Sequence, residues 1–110
     1  MDISFDDNKL KKYANNDLQA IKKLGPKRAK LYKQRLDDLL DALTLEDVRY
    51  LPGSFHELKG NRKGQWACNL DHPYRLIFEP HEDPTPTNES GQYIWIAIKG
   101  VEIIEIVDYH

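Results

Sequence analysis

Four groups of side chains in this chain have the types and spacing for chemistry on a phosphodiester. They are His56; the cationic turn Lys59, Arg62 and Lys63, with Gly60 and Gly64 set among them; Arg75; and the run Asp108-Tyr109-His110. Cleavage of RNA by its own 2′-hydroxyl needs a base for the 2′ proton, an acid for the leaving 5′ oxygen, and cations around the phosphorane charge. Histidine suits both proton roles, because its unperturbed pKa lies near neutrality. Arginine can hold a phosphate with two parallel hydrogen bonds, and lysine supplies a point charge. Tyr109 has the ring on which single-stranded RNA readers stack bases. Each group alone has a blander reading: a strand histidine that is structural, a solvated turn, an arginine paired with a carboxylate such as Glu105, a frayed chain end. They gain force only if the fold brings them to one surface.

The elements that would do so can be read from the periodicities. Ile3–Phe5 reads as a short strand. Asp6 or Asp7 can cap a helix through about Ala14, with Leu10 and Tyr13 inward; Asn16-Asp17 can cap a second, with Leu18 and Ile21 on one face. Gly25-Pro26 separates that helix from a longer one reaching about Leu43, in which Ala29, Tyr32, Leu36, Leu39, Leu40 and Leu43 recur at steps of three and four. Its charges are basic early and acidic late, opposing the helix dipole, so packing must stabilise it. Thr44 caps one more turn. After Pro52-Gly53 the pattern becomes strand-like: Phe55–Leu58, Trp66–Leu70, Arg75–Glu79, Tyr93–Ile98 and Val101–Val107, with a polar loop at 80–91 that holds three prolines. Leu58 and Trp66 read as core anchors flanking a cationic turn that stays outside. Helices first and a meander of antiparallel strands after gives an α+β fold, with the helices packed on one face of a small antiparallel sheet. If those strands share a sheet, His56, Arg75 and the end of the chain converge on one face.

A chain of 110 residues, 40% apolar, is expected to fold as one domain over 1–110 and excludes a disordered polymer. No apolar run approaches a membrane span, and the polar start does not resemble a signal peptide. The lone cysteine, Cys68, excludes an internal disulfide and fits the reducing cytoplasm; its alternation with Trp66 and Leu70 makes it a buried thiol rather than a nucleophile. No Cys/His spacing suggests a metal, and no cofactor is expected. The net charge of −2 is unusual for a nucleic-acid binder. Its distribution explains more: Lys59, Arg62, Lys63 and Arg75 against Glu57 and Asp71 leave residues 53–75 at +2, whereas residues 76–110 stand at −6. The basic turn is a local feature.

Three segments together resemble a known family. His56-Glu57-Leu58-Lys59-Gly60-Asn61-Arg62-Lys63-Gly64-Gln65-Trp66, then Tyr74-Arg75-Leu76-Ile77-Phe78, then Val107-Asp108-Tyr109-His110 are similar in kind and order to the HigB branch of the RelE-like toxins of bacterial type II toxin–antitoxin systems, also labelled plasmid maintenance killer proteins. The resemblance covers about residues 26–110. It implies a RelE-like fold and a ribosome-dependent endoribonuclease that cuts mRNA in the A site of the 70S ribosome without a metal. It places His56, Asp108, Tyr109 and His110 on the family's active-site positions, and Lys59 and Arg75 on cationic positions at the scissile phosphate. Lys59, Arg62 and Lys63 fall on its RNA-binding turn. It implies as partner a helix-turn-helix antitoxin, with operator DNA reached only through that antitoxin. This sequence departs from the pattern in Tyr74, where many relatives have tryptophan, in the longer 80–91 segment, and in its negative net charge. The competing readings are a binding module that does not cut, separable by the absence of cut mRNA ends, and a gyrase inhibitor of the ParE kind, separable by DNA damage without them.

Overall fold

The computed structural model describes residues 1–108. Tyr109 and His110, expected at the active site, lie outside the described residues.

Strand β1 (Asp2–Phe5) leads into three helices, α1 (Asn8–Asn15), α2 (Asp17–Leu24) and α3 (Pro26–Asp41), and a single turn α4 (Leu45–Val48). The caps are those the sequence suggests. Asp7 accepts from the Lys9 N–H at 2.7 Å, and Asn16 from the Gln19 N–H at 3.1 Å. Gly25, at φ +87°, breaks the chain between α2 and α3, and Pro26 opens α3. Asp47 accepts from the Thr44 N–H at 3.1 Å, closing a capping box on α4.

Strands β2 (His56–Glu57), β3 (Trp66–Asn69), β4 (Tyr74–Pro80) and β5 (Gly100–Asp108) form the expected antiparallel meander. The sheet is nevertheless mixed. Its order is β1-β5-β4-β3-β2, and β1 joins the outer edge of β5 in parallel. That placement corrects the reading of Tyr93–Ile98 as a strand. With β1 on one side of β5 and β4 on the other, β5 has no free edge for this segment. It folds back on its own loop through a bridge between Thr87 and Tyr93, then turns as a short 3-10 helix over Trp95–Ala97. Trp95 then packs edge-on against Trp66 at 5.4 Å, and Ile98 is buried.

One face of the sheet carries the core. Trp66, Cys68, Leu76, Phe78, Val101 and Ile103 meet Leu10, Tyr32, Leu36 and Leu39 from the helices. At about 25 cal/mol per Å² of apolar surface, such a cluster provides the main stabilisation. Tyr32 brings its hydroxyl inside only because the Leu10 carbonyl accepts from it at 2.8 Å; burial pushes its pKa up. The dipole conflict in α3 is offset by tertiary contacts. Lys33 pairs with Asp17, Arg28 pairs with Asp71, and the Met1 nitrogen donates to the Leu39 and Ala42 carbonyls at its C-terminal end. Helix α2 turns Ala20 inward and leaves Leu18 and Ile21 exposed, opposite to a core-facing reading, because only a small side chain lets α2 approach α3 closely. Leu40 and Leu43 are exposed too; α3 ends at Asp41, so Leu43 is no longer carried on a helical face. Among the described residues, no helix is long and apolar enough to cross a membrane.

Candidate functional site

Register and alternation decide which side chains share a face. The rows His56–Ala67–Ile77–Glu105 and Asn69–Arg75–Val107 run across β2 to β5 on the face opposite the helices. His56 and Arg75 are therefore brought to one surface, as expected. They stand two strands and two residues apart, roughly 12 Å between Cα atoms at standard sheet spacings. Beside Arg75 lies a small cavity of about 100 Å³ lined also by Asn69 and His72.

His56 is held. Its Nδ1 lies 2.7 Å from the Ser54 carbonyl oxygen. A carbonyl only accepts, so Nδ1 is the donor, and in the neutral tautomer that this contact selects the lone pair is on Nε2. The Ser54 carbonyl is aimed by a backbone found at no other non-glycine position among the described residues, φ +55°. The preceding Gly53 sits at φ +112°, and a Cβ there would stand 2.7 Å from the Arg35 guanidinium. Arg35 itself is buried, and its Nε donates to the Asn69 carbonyl at 2.8 Å. The Asn69 N–H donates to the Gly53 carbonyl at 2.8 Å. Helix α3 thus fixes the turn that fixes the imidazole. Sequence reading missed Arg35 and Ser54. Arg35 had a signal, since it follows Tyr32 by three and precedes Leu39 by four, on the inward stripe of α3; the left-handed Ser54 had none.

The cationic turn is split by the fold. Lys59 and Lys63 are both exposed to solvent. Arg62 folds back: its guanidinium donates to Glu105 at 2.5 Å and to Gln65 at 2.9 Å. Glu105 lies on β5, two strands beyond β3, so Arg62 must cross the sheet over Ala67 and Ile77. Both are fully buried, although they are outside the main core. The expectation that the whole turn stays outside is corrected here, and Glu105 partners Arg62. Leu58 is half-buried rather than a core anchor.

On the helix side, Arg49 grips Glu57 at 2.9 and 2.5 Å and lies over the Trp66 ring at 4.9 Å. The Arg49 hydrogen bond holds the Glu57 carboxyl below its ordinary pKa. Arg28 grips Asp71 at 2.9 and 3.1 Å and covers the Tyr74 ring at 3.4 Å, so Tyr74 is a clamped aromatic. Asp108 is the register partner of Tyr74, which places it by alternation on the side away from Arg75. Cys68 is fully buried and burial pushes its thiol far up, which agrees with an inert residue. Among the described residues, no three His, Cys, Asp or Glu side chains gather as metal ligands would.

The sequence of residues 3–89 matches the model of the HigB-like toxins, the RelE-like toxins of type II toxin–antitoxin systems. The chain belongs to this family. As a HigB-like toxin it is one half of a pair with an antitoxin. No curated protein matches it in sequence. Among solved structures it is similar to a YoeB/ParE toxin from Agrobacterium tumefaciens, at 12% identity over the whole of both chains and a TM-score of 0.47. The family match ends at residue 89, so Tyr93, Trp95 and β5 lie beyond it.

Proposed function

We propose that this toxin is a ribosome-dependent mRNA endoribonuclease that works by attack of the 2′-hydroxyl on the scissile phosphate and needs no metal. The observation that carries this reading is the pairing of a tautomer-fixed His56 with Arg75 on one helix-free face of the sheet. His56, with Nε2 unprotonated, is able to take a proton from the 2′ oxygen and, once charged, to return one to the leaving 5′ oxygen. Arg75 and Lys59 provide charge where the phosphorane develops it. Lys59, Arg62 and Lys63 serve RNA binding, with Arg62 acting from its Glu105 pair. Tyr109 and His110 complete the catalytic set, and a second histidine would let base and acid be separate groups; Asp108, on the side of β5 away from Arg75, acts by holding the residues that follow it rather than on the phosphate. The ribosome and mRNA are the substrate complex, a helix-turn-helix antitoxin is the partner, and the working compartment is the cytoplasm.

Primer extension on translated mRNA tests this. His56→Ala and Arg75→Ala should each abolish cut ends and growth inhibition while the thermal melt stays cooperative. Wild-type toxin that stops growth without cut ends would overturn the reading, and cut ends undiminished in both variants would remove these two residues from it.

A further inference from the structure

Strand β2 divides two surfaces: His56 faces the open side and Glu57 the other. On the Glu57 side, past the sheet edge, the turn after β2 and the returning 88–95 segment enclose a groove of about 460 Å³. That volume suits a ligand of nucleotide size. Its two walls nearly touch, since a Cβ on Gly64 would stand 3.4 Å from the Tyr93 hydroxyl.

The lining is chemically uneven. One wall offers Lys59 and Lys63, neither paired with a carboxylate among the described residues. Glu57 is the only carboxylate among the described residues of the lining, and Arg49 already compensates its charge. The other wall is an aromatic shelf. Tyr93 stacks at a tilt on Trp95 at 4.9 Å, and Trp95 is braced edge-on by the buried Trp66. Lys63 Nζ stands 5.9 Å from the Tyr93 ring centre. The Asn88 amide nitrogen donates to Gln92 Oε1 and its oxygen accepts from the Ser90 and Gln92 N–H groups, which leaves the Gln92 NH2 group at the rim without an acceptor among the described residues.

We infer that this groove is a second nucleotide subsite, built by the 88–95 segment, that holds one base of single-stranded RNA on Tyr93 and its phosphate between Lys59 and Lys63. The inference rests on the proposed RNA substrate and adds a place for a nucleotide next to the one that meets His56. Lys59, three residues beyond His56 in the chain, lines this groove. Flat aromatic surface beside uncompensated lysines fits a nucleotide better than an acidic peptide, which would use the cations and leave the shelf empty.

The test is a tryptophan-fluorescence titration of the His56→Ala protein with an A6 RNA hexamer. Trp66 is fully buried and Trp95 half-buried, so quenching reports the groove. The hexamer should quench saturably. Tyr93→Leu should weaken binding about tenfold, Tyr93→Phe should leave it unchanged, and tripolyphosphate should not quench. Should Tyr93→Leu fail to fold, Lys63→Gln asks the same question and should weaken binding with a shallower salt dependence. Unchanged affinity in Tyr93→Leu and Lys63→Gln, or equal quenching by a polyglutamate peptide or tripolyphosphate, would overturn the subsite. If the hexamer binds as described and translated mRNA is never cut, the cleavage reading falls while the subsite stands. If mRNA is cut and Tyr93→Leu binds normally, the reverse holds.

Discussion

The contact between Arg35 and Gly53 should show as a coupling energy in a double-mutant cycle. Arg35→Leu removes a charge-assisted hydrogen bond to the Asn69 carbonyl, worth about 1.5–3 kcal/mol. Part of this returns, because a buried guanidinium whose ion pair with Asp38 is stretched to 4.0 Å gives place to a well-tolerated apolar side chain. A net loss of about 1–2 kcal/mol is expected from these opposing effects. Gly53→Ala forces an alanine to φ +112°, at a cost of about 1–3 kcal/mol, and drives its Cβ to 2.7 Å from the guanidinium. Leucine ends before the Nε position, so the collision disappears in the double variant while the backbone strain remains. The double variant should therefore be less destabilised than the sum of the singles by at least about 1 kcal/mol, outside the ~0.5 kcal/mol scatter of independent sites. Urea unfolding followed by circular dichroism measures all four proteins, with a constant m-value as the check on two-state behaviour. Additivity of the two substitutions would refute the account in which α3 holds the turn before His56.

The charge pairs give two further outcomes. Arg62→Ala uncovers Ala67 and Ile77 and should lose about 1 kcal/mol in urea unfolding, whereas Glu105→Gln, which leaves the aliphatic stem in place, should lose about 0.5 kcal/mol or less; equal losses would mean that Arg62 acts through charge alone. In acid, the carboxyls of Glu57 and Asp71 have folded pKa values lowered by hydrogen bonds from Arg49 and Arg28. The stability they add is whole above the unfolded carboxylate range near pH ~4 and is lost as pH falls through the lowered folded values. Glu79 has the opposite sign, because burial and then the neighbouring Glu102 raise it. Glu79→Gln should raise the melting temperature at pH 7, and the gain should close as pH falls through the raised value, which thermal melts from pH 7 to 3 will show.

Much of the fold was legible because it rests on local chemistry. The caps at Asp7, Asn16 and Thr44, the Gly25-Pro26 break and the alternation of Trp66, Cys68 and Leu70 are each written in a few adjacent residues. The errors came where a non-local competitor decided. Tyr93–Ile98 has strand composition, yet β1 occupies the edge it would need. Leu18 and Ile21 have helical spacing, yet close packing against α3 selects Ala20. The site divides in the same way. His56 and Arg75 could be expected on one face only on the condition that their strands share a sheet, and the β2–β3–β4 register then placed them there. The return of Arg62 to Glu105 spans 43 residues and could not be placed so, nor could the left-handed Ser54 that sets the imidazole tautomer.

The net charge of −2 conceals how charge is sorted in space. Residues 8–36 carry ten lysines and arginines against Asp17 alone, so the basic turn has a cationic counterpart in the helices. Those helices lie behind the sheet. On the open face the gradient runs along β4: Arg75 at one end, Ile77 in the middle, and Glu79 at the other, about 13 Å away. Glu79 faces Glu102 in register, and Glu82 and Asp83 line the same end. A polyanion laid on this face is favoured beside Arg75 and repelled beside Glu79. Under the proposed function the carboxylates would do what a symmetric basic surface would not: limit how far along β4 an RNA strand could lie, and so help select which phosphate stands against His56.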